Sequence, residues 1–302
     1  MGLGAFWSAT KETFKEFFDD EPFVLAAALA FYAMLSLAPL LLIVVAVAGL
    51  VWGEQAVQGQ LAQRLEQAVG SQAAGTVETV LANASAGGGG IVALIIGIVT
   101  TILGATTIFA QLQTALNHIW DVEANPKSAV LGYLWTRLLA LGTVLLIALL
   151  LLASLVASTM LSTLQENFPD VLPFAGWIWQ VIDIVVWVGL LTLFLALLYK
   201  YLPDVSIEWR EVWVGAFITA LLFVAGKFGI GLYLGYASVG SAYGAAGSLV
   251  VLLVWIYYSA LILLLGAEIT QVYARRTGRG IEPSKHAIPR GGEAAPEQRR
   301  AA

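Results

Sequence analysis

No Asp, Glu, Lys, Arg or His occurs between Glu21 and Glu54, between Glu78 and His118, or between Arg137 and Glu166. Each of these stretches exceeds the about 20 apolar residues that cross a hydrocarbon core about 30 Å thick. A buried helix of a soluble protein can reach such a length once, but here the gaps recur along the chain. Composition agrees: 59% of the 302 residues are hydrophobic and 12% are charged, against roughly 25% charged in a soluble domain. The chain therefore reads as an all-α, polytopic membrane protein with a bundle of about six transmembrane helices. Spans are expected near 23–52, 91–116, 131–157, 177–201, 211–234 and 248–273.

The flanks of these spans carry their own signals. Pro39, in Ser36-Leu37-Ala38-Pro39, removes a hydrogen bond inside the first span and predicts a kink, with Ser36 placed to help satisfy the freed carbonyls. Trp52, Trp177 and Trp179 mark one interface, and Tyr199, Tyr201, Trp209 and Trp213 the other, as aromatic belts do. With the N-terminus inside, the cytoplasmic segments hold Lys11, Lys15, Lys127, Arg137, Lys200, Arg210 and all the basic residues of the tail, while the opposite loops hold Arg64 alone. That asymmetry predicts an N-in, C-in topology.

Outside the spans, residues 1–22 read as an amphipathic helix: Leu3, Phe6, Trp7, Phe14, Phe17 and Phe18 share one side and Lys11, Glu12, Lys15, Glu16 and Asp19 the other. It fits either the membrane interface or a docking site on its own bundle. Residues 53–90 form the longest connection, a helical extracytoplasmic hairpin ending in the tether Gly87-Gly88-Gly89-Gly90. The domain organisation is then the helix 1–22, a membrane domain over 23–275 and a disordered cytoplasmic tail over 276–302, rich in Gly, Pro, Ala and charge. No cleavable signal is expected, since the first apolar run is longer than a signal-peptide core.

Several functions are disfavoured by the inventory. With no cysteine there is no disulfide framework and no thiolate chemistry. A net charge of −5 does not suit a nucleic-acid binder. Nothing points to a cofactor, and two histidines, His118 and His286, are too few for a clustered metal site.

Three groups of residues together carry a family resemblance. They are Ala28-Leu29-Ala30-Phe31-Tyr32 leading to Ser36-Leu37-Ala38-Pro39-Leu40, then Gly104-Ala105-Thr106-Thr107-Ile108-Phe109 with Leu116-Asn117-His118-Ile119-Trp120, and a C-terminal third. That third contains Tyr201-Leu202-Pro203-Asp204, Gly215-Ala216, Tyr243-Gly244-Ala245-Ala246-Gly247-Ser248 and Gly266-Ala267-Glu268. Over residues 10–275 the chain resembles the YihY/BrkB family of bacterial inner-membrane proteins, departing at Ala38 where many relatives carry a second proline. The resemblance implies a multi-pass protein of the cytoplasmic membrane, in a family labelled virulence factor and, formerly, ribonuclease BN. It brings no catalytic residue set. Metal-dependent cleavage of RNA needs clustered ligands, and metal-free cleavage needs a paired acid and base in a basic cradle. The spacing of this chain offers neither, so an enzyme is not expected.

Candidate sites are therefore polar groups inside spans, which are costly there and often functional. Asp183 and Lys227 lie deepest, with Gln180 beside Asp183, and could form an ion pair that is either a structural clamp or a polar substrate or proton site. Arg137 and Glu268 lie at similar depth on the cytoplasmic side and either pair or snorkel into solvent. Gly231 and Gly235 have close-packing spacing, suited to packing within the bundle or to self-association. Two functions remain. One is a transporter or flippase-like carrier acting on a lipid or envelope precursor, its partners being membrane lipids. The other is a non-transporting scaffold in cell-envelope maintenance.

Overall fold

The computed structural model describes residues 3–52, 91–124, 175–236, 247–277, 282–284 and 287–290, with the single positions 138 and 142. Six helices appear in this set: α1 (Leu3–Asp19), α2 (Pro22–Trp52), α3 (Ile91–Ile119), α4 (Ala175–Tyr201), α5 (Trp209–Tyr236) and α6 (Gly247–Thr277). Four short strands accompany them: β1 (Val122–Ala124), β2 (Val205–Ser206), β3 (Glu282–Pro283) and β4 (Ala287–Pro289). The helices α2 to α6 have 27 to 31 residues each, so each is about 40 Å long or more at ~1.5 Å per residue. The protein is thus a polytopic helical membrane protein, as the charge-free stretches require.

The distribution of residue sizes supports a lipid surround. Phe23, Val24, Phe31 and Leu35 of α2, Ile184 and Val185 of α4, and Phe217 and Leu221 of α5 are all exposed. The buried faces mix small residues, Ala26 and Ala30, Ala216 and Ala220, and Ala267 and Ala274, with large ones such as Leu116, Leu195, Tyr199 and Leu264. Lipid tails are as apolar as leucine, so burying large side chains gains little, and association comes from close backbone approach.

Helix α6 is the hub, packed against α1, α2, α3 and α5, while α2 packs on α3 and α4 on α5. Its fit to α5 is reciprocal. A Cβ added at Gly215 of α5 would lie 1.7 Å from Thr270 Oγ1 of α6, and one at Gly266 of α6 would lie 1.8 Å from Thr219 Oγ1 of α5. Each threonine donates to the carbonyl of the glycine one turn earlier on its own helix, Thr219 to Gly215 and Thr270 to Gly266, both at 2.7 Å. The hydroxyls are thereby satisfied without water, and each methyl-sized projection fills the notch opposite. Gly226 receives the Tyr258 hydroxyl in the same manner. Tyr199 adds a third helix by donating to the carbonyl of Leu263 at 2.7 Å. It is fully buried, which corrects its expected place in an aromatic belt. Tyr201, Trp209 and Trp213 are exposed, in edge or tilted ring contacts with one another.

One end of the bundle gathers most of the described polar contacts. The C-terminal ends of α3, α4 and α6 meet there with the start of α5, joined by hydrogen bonds from Asn117 to Asp204 and from Gln271 to Ile119. The third expected span, 131–157, and the hairpin 53–90 themselves lie outside the described residues.

The tail corrects an expectation. Residues 282–284 and 287–290 are ordered: β4 pairs antiparallel with β1 and β3 with β2. Ser284 N–H also donates to the Asp204 carbonyl at 2.9 Å, and Arg290 N–H to that of Asp121 at 2.8 Å. Backbone groups of two turns thus find partners that a tail rich in Gly, Pro and charge did not advertise. Helix α2 runs on through Pro39, and any bend there lies outside the described residues. Ser36 is buried with no hydrogen-bond partner for Oγ, so it does not take up the carbonyl freed by the proline.

The Gly–Thr interlock generates a prediction. Gly215→Ala drives a methyl into Thr270 and should separate α5 from α6, costing about 1–3 kcal/mol. Thermal unfolding in detergent reads the loss, and adding Thr270→Gly should recover much of it.

Candidate functional site

The polar end is assembled from three groups of contacts. In the first, Gln113 and Asn117, one turn apart on α3, face the turn between α4 and α5. Gln113 Nε2 and Asn117 Nδ2 donate to Asp204 Oδ2 at 3.2 and 2.8 Å, and Asp204 N–H donates to Asn117 Oδ1 at 2.8 Å. Gln113 and Asn117 are buried, so each unmet bond would cost its full desolvation. Asn117 is thus a two-way clamp, donating to the Asp204 carboxylate and accepting from its N–H.

The second group joins α1 to α6. Helix α1 turns into α2 with a bend of 62°, through Glu21 at φ 51° and Pro22, which opens α2 where a missing N–H is harmless. The bend lays α1 along the end of α6. Arg275 pairs with Glu16 and reaches Glu12 at 3.6 Å, and Arg276 Nε donates to Glu12 Oε2 at 2.9 Å and Nη1 to Ser8 Oγ at 2.7 Å. One such half-exposed pair contributes little, but the contacts are shared among four charges. Trp7, Phe14 and Phe18 remain exposed on the other side. The helix thus docks on its own bundle, burying Thr13 and Phe17 and pairing Glu12 and Glu16 with α6, while Lys11, Lys15 and Asp19 stay exposed.

The third group surrounds the end of α3. Gln271 Nε2 donates to the Ile119 carbonyl at 2.6 Å, satisfying one of the orphan acceptors of a helix end. Arg290 donates to His118 Nδ1 at 2.6 Å, and His118 Nε2 stands 3.9 Å from Asp20 Oδ1. Burial, with Arg290 second, holds His118 below the usual histidine range, consistent with an unprotonated Nδ1 that accepts. Burial, with Asp121 second, pushes the Asp20 carboxyl up to about 6. Between these groups lies Glu268, 0% exposed, its carboxyl oxygens meeting no donor group and set against the carboxyl of Glu16.

The expected site residues fare unevenly. Glu268 is sealed, which corrects the option of snorkelling into solvent; Arg137 lies outside the described residues, and Arg275 is a cation that does face Glu268. Lys227 is exposed on α5 and not interior, a correction to the pair imagined inside the bundle. The small-residue face that buries Ala216 and Ala220 does not extend to it. Asp183 and Gln180 fall in α4, and Gly231 and Gly235 in α5, but their side-chain surroundings lie outside the described residues. Sequence reasoning passed over Gln271 and Asp204. The first was visible as Glu268, Gln271 and Arg275 at spacings of three and four on one helical stripe.

These features define a helical membrane protein whose polar residues concentrate at one end of the bundle. The chain belongs to the family described as Virulence factor BrkB, whose model matches residues 13–289. It is similar to a UPF0761 membrane protein of Verminephrobacter eiseniae, 32% identical over 271 residues, covering 87% of this chain and 62% of that one. It is also similar to the UPF0761 membrane protein YihY of Escherichia coli, 33% identical over 181 residues, 58% of this chain and 57% of that one. A Tolumonas auensis UPF0761 membrane protein is 29% identical over 196 residues, 62% of this chain and 61% of that one. The chain thus spans about three fifths of the length of these relatives. No solved structure matches it.

Two predictions follow from the contacts. Asn117→Ala should lower the unfolding midpoint by the equivalent of about 1–3 kcal/mol. Asp204→Ala should do the same, and the double mutant should cost little more than the worse single one, since both break one contact. For Asp20, the folded carboxyl binds its proton more tightly than the unfolded one, so stability falls as pH rises from about 4 through about 6. Asp20→Asn should flatten that decline in detergent melts and leave a chain more heat-stable than the parent at neutral pH.

Proposed function

We propose that this BrkB-family protein is a carrier of the bacterial cytoplasmic membrane, transporter or flippase-like, that moves a lipid or envelope component and is not an enzyme. The observation that supports this is the buried polar set within otherwise apolar helices: Gln113, Asn117, Glu268, Thr270 and Gln271. Polar groups in membrane helices are costly, and where they cluster inside a bundle they commonly mark the path or the coupling site of a transported species. Arg210, Arg275, Arg276 and Arg290 belong to the same end of the bundle, so we take that end as cytoplasmic. Membrane lipids are then both the surroundings and the source of a substrate.

Reconstitution tests the reading. The purified chain in liposomes should move at least one member of a panel of labelled lipids and envelope precursors faster than empty liposomes do, with the rate compared in the presence and absence of a proton gradient. Silence across the panel, together with envelope defects in a deletion strain, would replace the carrier by a non-transporting scaffold.

A further inference from the structure

Buried polar atoms without a partner are scarce in native proteins, and each asks for a cause. Among the described residues, four of the six such side-chain atoms lie along one stripe of α6, Glu268 Oε1 and Oε2, Gln271 Oε1 and Arg275 Nε, and a fifth, Trp120 Nε1, belongs to the residue after the one whose carbonyl Gln271 holds. Glu268 is at the centre of the set and is fully enclosed. The charged groups that face it are Glu16 from α1, Asp20 from the turn between α1 and α2, and Arg275 from its own helix. Arg275 is already engaged by Glu16 and Glu12. His118, Asp121 and Arg290 stand around Asp20 on the side of α3 and the tail. An ionised Glu268 would be a sealed charge set against the Glu16 carboxyl, which is within hydrogen-bonding reach, and near Asp20, an arrangement that burial and like charge both disfavour. A proton removes that cost and needs no cavity. Among the described residues no group of three or more His, Asp or Glu is arranged to hold a metal ion instead.

We propose that Glu268 is a proton-binding site and that its proton is what allows α1 to dock on α6. With the proton in place, Glu268 is a neutral acid beneath Glu16, and Arg275 and Arg276 hold α1 down. When the O–H bond of the carboxyl breaks and its proton passes to water at the polar end, the carboxylate repels Glu16 and Asp20 and competes for Arg275. Helix α1 then lifts from the end of α6 and water reaches the buried stripe. This goes beyond the carrier reading and does not depend on it.

Two measurements on the full chain in lipid nanodiscs test the proposal. The parent has no cysteine, so spin labels at Lys15→Cys and Thr277→Cys, both exposed positions, report the α1–α6 separation by pulsed electron resonance. The parent should show a single short distance at low pH and a growing longer population as pH rises. Glu268→Gln, neutral at every pH, should keep the short distance throughout. An unchanged pH response in Glu268→Gln, or one abolished by Asp20→Asn alone, overturns the proposal. Infrared spectroscopy supplies a readout that needs no folded Glu268 variant. In the parent and in Glu16→Gln, a protonated carboxylic-acid band should be present with the helix docked and shift on isotopic labelling of glutamate. Absence of that band, or a shift on labelling of aspartate only, also overturns it. Neither experiment reads transport, so a negative result here leaves the carrier reading standing, and the converse holds.

Discussion

Gly215 faces Thr270 and Gly266 faces Thr219, and this double interlock brings α5 and α6 to the separation from which the rest of the bundle is placed. In a lipid surround, helix association leans on close packing, which is tightest where backbones approach and their hydroxyls are already satisfied. Both conditions hold here, because each threonine bonds within its own helix before it enters the opposing notch. Tyr199 extends the contact to α4 through the Leu263 carbonyl, while α6 offers its remaining faces to α1, α2 and α3.

That placement decides what happens at the polar end. Once α6 is seated, Glu268, Gln271 and Arg275 must face α1 and the end of α3, whatever the chemical cost. Gln271 finds the Ile119 carbonyl and Arg275 finds Glu16. Glu268 instead meets the carboxyl of Glu16, with no donor group for either of its oxygens. The Asp204 clamp differs in kind: both partners are polar, both are satisfied, and its role is to fix the α4–α5 turn against α3.

The membrane class was legible from Glu21 to Glu54 alone, because absence of charge over such a length has few other causes. The ends of the long helices lie within a few residues of the expected spans, apart from the extra turns that carry α3 to Ile119 and α6 to Thr277. Surroundings of individual charges were not legible. The enclosure of Glu268 depends on α1 folding back through Glu21, and a glutamate at positive φ carries no sequence signal of the kind a glycine would. The tail misled because its composition reports side chains, whereas β3 and β4 are held by main-chain bonds to turns far away in sequence. Tyr199 resembled an interfacial aromatic because hydropathy alone does not distinguish a ring at a headgroup from one inserted between helices.

The pairing of β1 with β4 and of β2 with β3 has a consequence for the order of assembly. The turns after α3 and α4 are made early, yet their strand partners are residues 287–289 and 282–283. During synthesis both turns wait with open edges while every later crossing is inserted. The polar end therefore acts as a seal applied last. A chain stalled before those strands emerge would lack the N–H groups of Ser284 and Arg290 that hold the carbonyls of Asp204 and Asp121.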